Sequence, residues 1–272
     1  MSRKIYWQQR NDSRLKLVLD ILRDSYGRPQ RCEGLDFLQV LVLTILSQNT
    51  TDLNAHRAYV NLLTVYSDRA LPEAIIGPLE SSDIRVVDLA RRLPAPDWTR
   101  VFGTPEKELA GRLAPAGLQL SKARTVKALL AWVRKTPGFD FLTVKDYFRE
   151  SSAEAAIAVL IEIKGIGVKT AGVALMETSG ADICPVDTHV NRICRRLKLV
   201  EYTGSSRTKV FWELRSLIPE GRAYELHHNL LSLGRQLCKA RNPRCGLCPV
   251  SNLCWDFRVN GQNEERVLRF AP

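Results

Sequence analysis

Residues 160–187 read LIEIKGIGVKTAGVALMETSGADICPVD, and the punctuation of this stretch decides how the chain is built. One apolar-periodic segment runs up to Gly165-Ile166-Gly167, a second follows it, and Pro185-Val186-Asp187 closes the run. The pattern predicts two helices joined by a tight hairpin over 154–178. Glycine at both ends of the turn tolerates positive φ and leaves backbone N–H groups uncovered, so the start of the second helix can receive a phosphate. Lys169 stands on that first turn, with Thr170 next to it.

Composition narrows the class of partner. Forty Lys plus Arg against 29 Asp plus Glu give a formal charge of +11 and a pI near 9.5. That balance suits a polyanion, either nucleic acid or an anionic membrane surface. No long apolar run occurs, and the basic opening MSRKIYWQQR leads into no apolar segment, so neither a membrane span nor export is expected. With 45% hydrophobic residues over 272 positions, a packed core is expected.

Four of the seven cysteines, Cys238, Cys245, Cys248 and Cys254, stand at the spacing C-x6-C-x2-C-x5-C. Such crowding marks metal ligands in a reducing compartment, not a secreted disulfide framework. Spacing alone leaves zinc open, although structural zinc sites more often pair two C-x2-C knuckles and only Cys245 and Cys248 form one here. Cys32, Cys184 and Cys194 fall outside the pattern and read as buried thiols. Lys239, Arg241 and Arg244, between the first two cysteines, either grip phosphates or solvate the loop.

Elsewhere the chain reads as helices. Leu15, Val18, Leu19, Leu22 and Tyr26 recur at helical spacing until Gly27 and Pro29 stop them. Residues 37–46 are nearly all apolar, long enough for a buried helix, and Thr51 or Asp52 can start the next one, over 53–66. Residues 67–104, broken by four prolines, predict helix fragments and loops. Helical patterns return at 105–114, 121–133, 143–149 and 153–163. After Asp187 they continue with Val190, Ile193, Cys194 and Leu197 on one face and Arg192, Arg195, Arg196 and Lys198 off it. Further segments at 209–218 and 224–234 complete an all-α chain.

The motif GIGVKTA, followed eighteen residues after its lysine by Asp187 in PVDTH, together with the four-cysteine loop, resembles the helix-hairpin-helix DNA glycosylases of the endonuclease III family. The resemblance implies a six-helix bundle domain at 30–182 and an iron-sulfur cluster helical domain made of 1–29 and 183–272. It implies a [4Fe-4S] cluster on the four cysteines, damaged double-stranded DNA as partner, and a monomer working on nucleoid DNA in the cytoplasm. The family places a leucine that enters the gap left by an extruded base, and Leu118 matches that place. Opposite it, the family uses a glutamine in the turn SxQxTxD. Here Asn49 holds the aligned position with Gln48 before it, a departure that bears on gap filling and opposite-base preference. Gly165, Gly167, Thr170 and His189, with Lys239, Arg241 and Arg244, make up the remaining DNA contacts that the resemblance implies. It does not cover 67–104.

The chemistry follows from two residues. Breaking the bond between a base and C1′ of deoxyribose builds positive charge on the sugar, and it needs a nucleophile and a carboxylate. A lysine amine as nucleophile leaves a Schiff base that continues to β-elimination and strand cleavage. Lys169 therefore implies a glycosylase with lyase activity, acting on oxidised pyrimidines if the family's substrate class holds, and the positive end of a helix favours its neutral amine. The plainer reading of Lys169 is a phosphate contact, and that of Asp187 an N-cap. Two other functions stay open: a monofunctional thymine or uracil mismatch glycosylase, and a non-catalytic iron-sulfur DNA-binding protein. An adenine glycosylase is disfavoured, because that branch lacks the hairpin lysine and usually adds a domain beyond the cluster.

Overall fold

A computed structural model describes residues 3–67, 71–72, 86–141, 144–201, 204 and 206–260. Among the described residues every regular element is helical. The chain divides into two compact units, one of residues 31–181 and one that joins 1–30 to 182–272.

The 31–181 unit is built on α2 (Phe37–Leu46), all ten residues of which are buried. A helix apolar all round belongs in a core, and this one starts at Asp36, whose side chain accepts the Gln39 N–H at 2.6 Å. Around it lie α3 (Asp52–Tyr66), α4 (Val86–Arg92), α5 (Trp98–Gly103), α6 (Glu106–Arg112), α7 (Gln119–Lys135), α8 (Val144–Glu150), α9 (Ala153–Ile161) and α10 (Val168–Thr178). The densest packing is α10 on α2, with α3, α4 and α7 also against α2. Phe148 of α8 stacks on Phe37 with ring centroids 4.8 Å apart. Part of the predicted fragment region, 68–70 and 73–85, lies outside the described residues. What is described of it forms α4 and α5, and Gln39 anchors it by donating to the Leu93 carbonyl.

In the second unit α1 (Arg3–Tyr26) packs on α13 (Ala223–Gln236), and α13 also packs on α11 (Thr188–Arg196). The unit also holds α12 (Arg207–Arg215) and α14 (Trp255–Asn260). Leu15, Val18, Leu19 and Leu22 are fully buried, the apolar face expected of the first helix. A charged clamp supplements them. Glu225, 5% exposed, receives Arg23 through Nε at 3.0 Å and Nη2 at 2.8 Å, and Arg222 through Nε at 3.1 Å and Nη2 at 2.8 Å.

Burial by itself pushes the Glu225 carboxyl up, but the hydrogen bonds from Arg23 and Arg222 outweigh it and the net shift is downward from about 4.5. Stability from this group is therefore present above the ordinary carboxylate value and is lost as pH falls through the lower folded value. Glu225→Gln is expected to cost about 3 kcal/mol near neutral pH, because it leaves two guanidinium groups around a neutral amide. Melting curves of the two proteins converge as pH falls through the lowered Glu225 value if the clamp works this way; a gap that does not narrow in acid rules it out.

Candidate active site and nucleic-acid interface

The hairpin is framed by α9 and α10, which pack on each other. Gly165 takes φ 94°, and a Cβ there would run into the Thr125 side chain of α7, with Cγ2 at 2.9 Å and Oγ1 closer. Both the dihedral and the close approach demand glycine. Gly165→Ala should disturb the turn and α7 together, lowering affinity for any duplex by about tenfold or more, through lost backbone contacts to phosphate. Wild-type affinity in a filter-binding titration would show that the turn does not carry DNA. Gly167 is the N-cap of α10 and provides no side-chain cap, so the first N–H groups of that helix have no side-chain partner at the cap. Lys169 lies on this first turn and is half-buried.

Thr170 is different from what the resemblance implies. Its side chain is 4% exposed, and its hydroxyl accepts the Gln48 Nε2–H at 3.0 Å. The hydroxyl is used inside the unit, so Thr170 braces the turn after α2 and does not reach out to DNA through its side chain. Gln48 is committed to the same bond. Asn49, in contrast, is exposed at φ 54°, a left-handed conformation that asparagine tolerates better than most residues. Of the two amides, Asn49 is the one that projects.

Leu118 sits opposite in kind: φ 47°, 62% exposed, immediately before α7. A leucine held left-handed with its side chain in solvent is strained and poorly solvated at once, an arrangement that a packing role does not explain. The sequence pattern starts α7 at Ser121; the helix begins two residues earlier, at Gln119, with Leu118 in the N-cap position and no side-chain cap bond.

Asp187 is the N-cap of α11, its Oδ1 accepting the Val190 N–H at 2.8 Å. The first turn of α11 lies hard against α13. A Cβ on Gly234 would come within 2.6 Å of His189 Nδ1 and 2.8 Å of its Cβ. Arg192 Nη2 lies 3.1 Å from His189 Nδ1. A guanidinium only donates, so Nδ1 accepts and a neutral ring carries its proton on Nε2.

Arg192 and Arg196 were legible only as polar positions of α11, yet both turn toward the cysteine loop. Arg192 donates to the Cys238 carbonyl through Nε at 2.9 Å and Nη2 at 2.7 Å. Arg196 Nη1 donates to Cys238 Sγ at 3.3 Å and to the Lys239 carbonyl at 2.8 Å, and its Nε pairs with Asp256 at 3.4 Å. Lys198 lies over the Trp255 ring, 3.3 Å from its centre. Lys239, Arg241 and Arg244 are exposed on this loop.

None of the four loop cysteines is in a disulfide, and each is partly exposed. Burial first, then neighbouring loop thiols, raise the proton affinity of Cys245 and Cys254, and Cys248 is pushed up to about 11. Thiols crowded in this way need iron or another cation to become thiolates together, because each thiolate would otherwise face its neighbours' negative charge. A single zinc would gather sulfurs about 2.3 Å from one centre, whereas a cubane gives each thiolate its own iron. The donor set fits the cluster. Cys184 and Cys194 are buried as expected, and burial pushes Cys194 up to about 12, so both are inert thiols.

One residue of this region gave no motif signal. Lys122 of α7 is 3% exposed and donates from Nζ to the carbonyls of Leu46 and Ala116, each at 2.7 Å. Its position is readable afterwards: it lies on the apolar stripe of Val126, Leu129 and Val133, where a lysine is out of place unless partnered.

The family model of the HhH-GPD superfamily base excision DNA repair protein matches residues 42–220. That of the iron-sulfur binding domain of endonuclease III matches 238–254. Endonuclease III of Rickettsia felis is 30% identical over 215 residues, covering 78% of this chain and 92% of the relative. Endonuclease III of Thermotoga maritima is 28% identical over 252 residues, covering 92% and 98%. Among solved structures, a non-covalent endonuclease III–DNA complex superposes with a TM-score of 0.68 at 21% identity, over 93% of this chain and 99% of that one. A thermostable thymine-DNA glycosylase gives 0.63 at 19% identity, over 91% and 98%.

Proposed function

Since the chain belongs to the HhH-GPD superfamily of base excision DNA repair proteins, we propose that this endonuclease III-like glycosylase is bifunctional, releasing oxidised pyrimidines from duplex DNA and cutting the strand through a Schiff base on Lys169. The observation that carries this reading is Lys169 itself, half-buried on the first turn of α10 beside the glycine hairpin.

The damaged nucleotide leaves the stack. Gly165 and Gly167 offer backbone N–H groups to phosphate, and Lys239, Arg241 and Arg244 add charge along the strand. Asn49 and Leu118 occupy the space the base vacates. The Asp187 carboxylate, with one oxygen holding Val190 N–H, uses the other to stabilise positive charge on the sugar as the glycosidic bond breaks. The base departs with the bonding electrons and takes a proton. The neutral Lys169 amine forms a bond to C1′ and gives up a proton; the C1′–O4′ bond then breaks, its electrons and a proton going to O4′, and the nitrogen lone pair makes the C1′=N iminium. Removal of a C2′ proton then expels the 3′ phosphate by β-elimination. His189, with Nδ1 occupied by Arg192, presents an Nε2–H donor to a backbone phosphate.

The protein carries a [4Fe-4S] cluster, which Cys238, Cys245, Cys248 and Cys254 would hold. When bound, it supplies four iron–thiolate bonds that tie the basic loop into a fixed shape. No described helix is long and apolar enough to cross a membrane. We take the working form to be a monomer on nucleoid DNA.

Borohydride reduction of the cluster-loaded protein on a duplex with one abasic site tests the reading. A covalent protein–DNA band is expected. Its absence overturns the lyase; base release from a mismatched or damaged duplex without the band would make the enzyme monofunctional, and neither activity would leave a DNA-binding protein.

A further inference from the structure

Three turns of the 31–181 unit meet one helix. Lys122 of α7 bonds the carbonyls of Leu46, the last residue of α2, and Ala116, two residues before Leu118. Thr125, one turn on, touches Gly165 of the hairpin. Gln48 closes the circuit by bonding Thr170 of α10. Each bonded carbonyl is followed within three residues by an exposed side chain held left-handed, Asn49 after Leu46 and Leu118 after Ala116.

A buried lysine is costly, and an apolar residue would fill this stripe without that cost. What the amine supplies is a pair of short, directional bonds to backbone on two separate turns, with the cationic head at the C-terminal, negative end of α2. Burial lowers Lys122 from its ordinary value to about 8, in keeping with an amine enclosed by protein.

We propose that Lys122 is a positioning residue that locks the Leu46–Asn49 turn to the Ala116–Leu118 turn, so that Asn49 and Leu118 enter the emptied base stack as one matched unit. The assignment rests on the gap-filling roles given above to Asn49 and Leu118. Lys122 itself, 3% exposed, touches no DNA. Loosening it leaves the phosphate contacts of the hairpin and the loop in place, but the two side chains no longer arrive at a fixed separation.

The test is a double-mutant cycle on Lys122→Met and Leu118→Gly, reading affinity for a duplex with one tetrahydrofuran abasic analogue and for the same duplex undamaged. Each single variant should weaken binding to the analogue about tenfold. Together they should also weaken it about tenfold, while affinity for undamaged duplex changes less than twofold. Additive losses of about a hundredfold, or equal losses on both duplexes, would overturn the coupling and make Lys122 a packing residue. If Leu118→Gly has no effect there is nothing to couple, and the inference fails with the gap-filling role while the lyase reading stands on its borohydride band. Should Lys122→Met melt below the assay temperature, Lys122→Gln, which keeps an N–H donor, enters the same cycle with the same criteria.

Discussion

Lys169→Ala abolishes the borohydride-trapped band and lowers strand cleavage at an abasic site by at least about 10³-fold, the scale on which loss of a nucleophile acts. The substitution isolates the amine. Alanine is the best helix former, so the first turn of α10 keeps its shape, and one charge among the many basic residues contributes only part of the phosphate attraction. Binding to an abasic-analogue duplex should therefore stay within about tenfold of wild type. If the alanine protein still forms the band, another amine is the nucleophile and Lys169 reverts to a phosphate ligand.

The second large effect separates two duties of one carboxylate. Asp187→Asn keeps an oxygen that can accept the Val190 N–H, and asparagine caps helices as well as aspartate does, so α11 and its unit should melt as in wild type. The negative charge is gone. Base release under single-turnover conditions should fall by about 10²–10⁴-fold, as expected when charge stabilisation at the sugar is lost. Asp187→Ala removes the cap too, adding about 1 kcal/mol of instability. An asparagine enzyme that releases base within a few-fold of wild type would reduce Asp187 to its cap.

Much of this was readable from residues. The hairpin announced itself because glycine has few uses at both ends of a three-residue turn, and 37–46 resolved as helix because a nearly continuous apolar run of ten residues suits a buried helix better than a strand. The cysteine loop was readable because ligand spacing survives any surrounding sequence. What escaped was reach. Arg192 and Arg196 occupy ordinary polar positions on α11, and nothing local says that both guanidinium groups cross to carbonyls and a sulfur more than forty residues away. Thr170 entered as a DNA contact through the resemblance alone, yet successive helical residues point about 100° apart, and next to a half-buried Lys169 it faces inward. Leu118 could be matched to a place but not to a conformation; its left-handed backbone follows from the turn it ends, not from leucine.

The unit that joins residues 1–30 to 182–272 has a further consequence for how the protein is made. Arg23 and Glu225 are 202 positions apart, so the first helix leaves the ribosome long before its partner helix is synthesised. The 31–181 unit, contiguous in sequence, can close while translation continues. The opening helix must wait with its apolar face unsatisfied, and the cysteines of the loop emerge only after α13. Cluster delivery is thereby a late event, and the nascent chain passes through an interval in which its hairpin is folded but its α1–α13 packing is not.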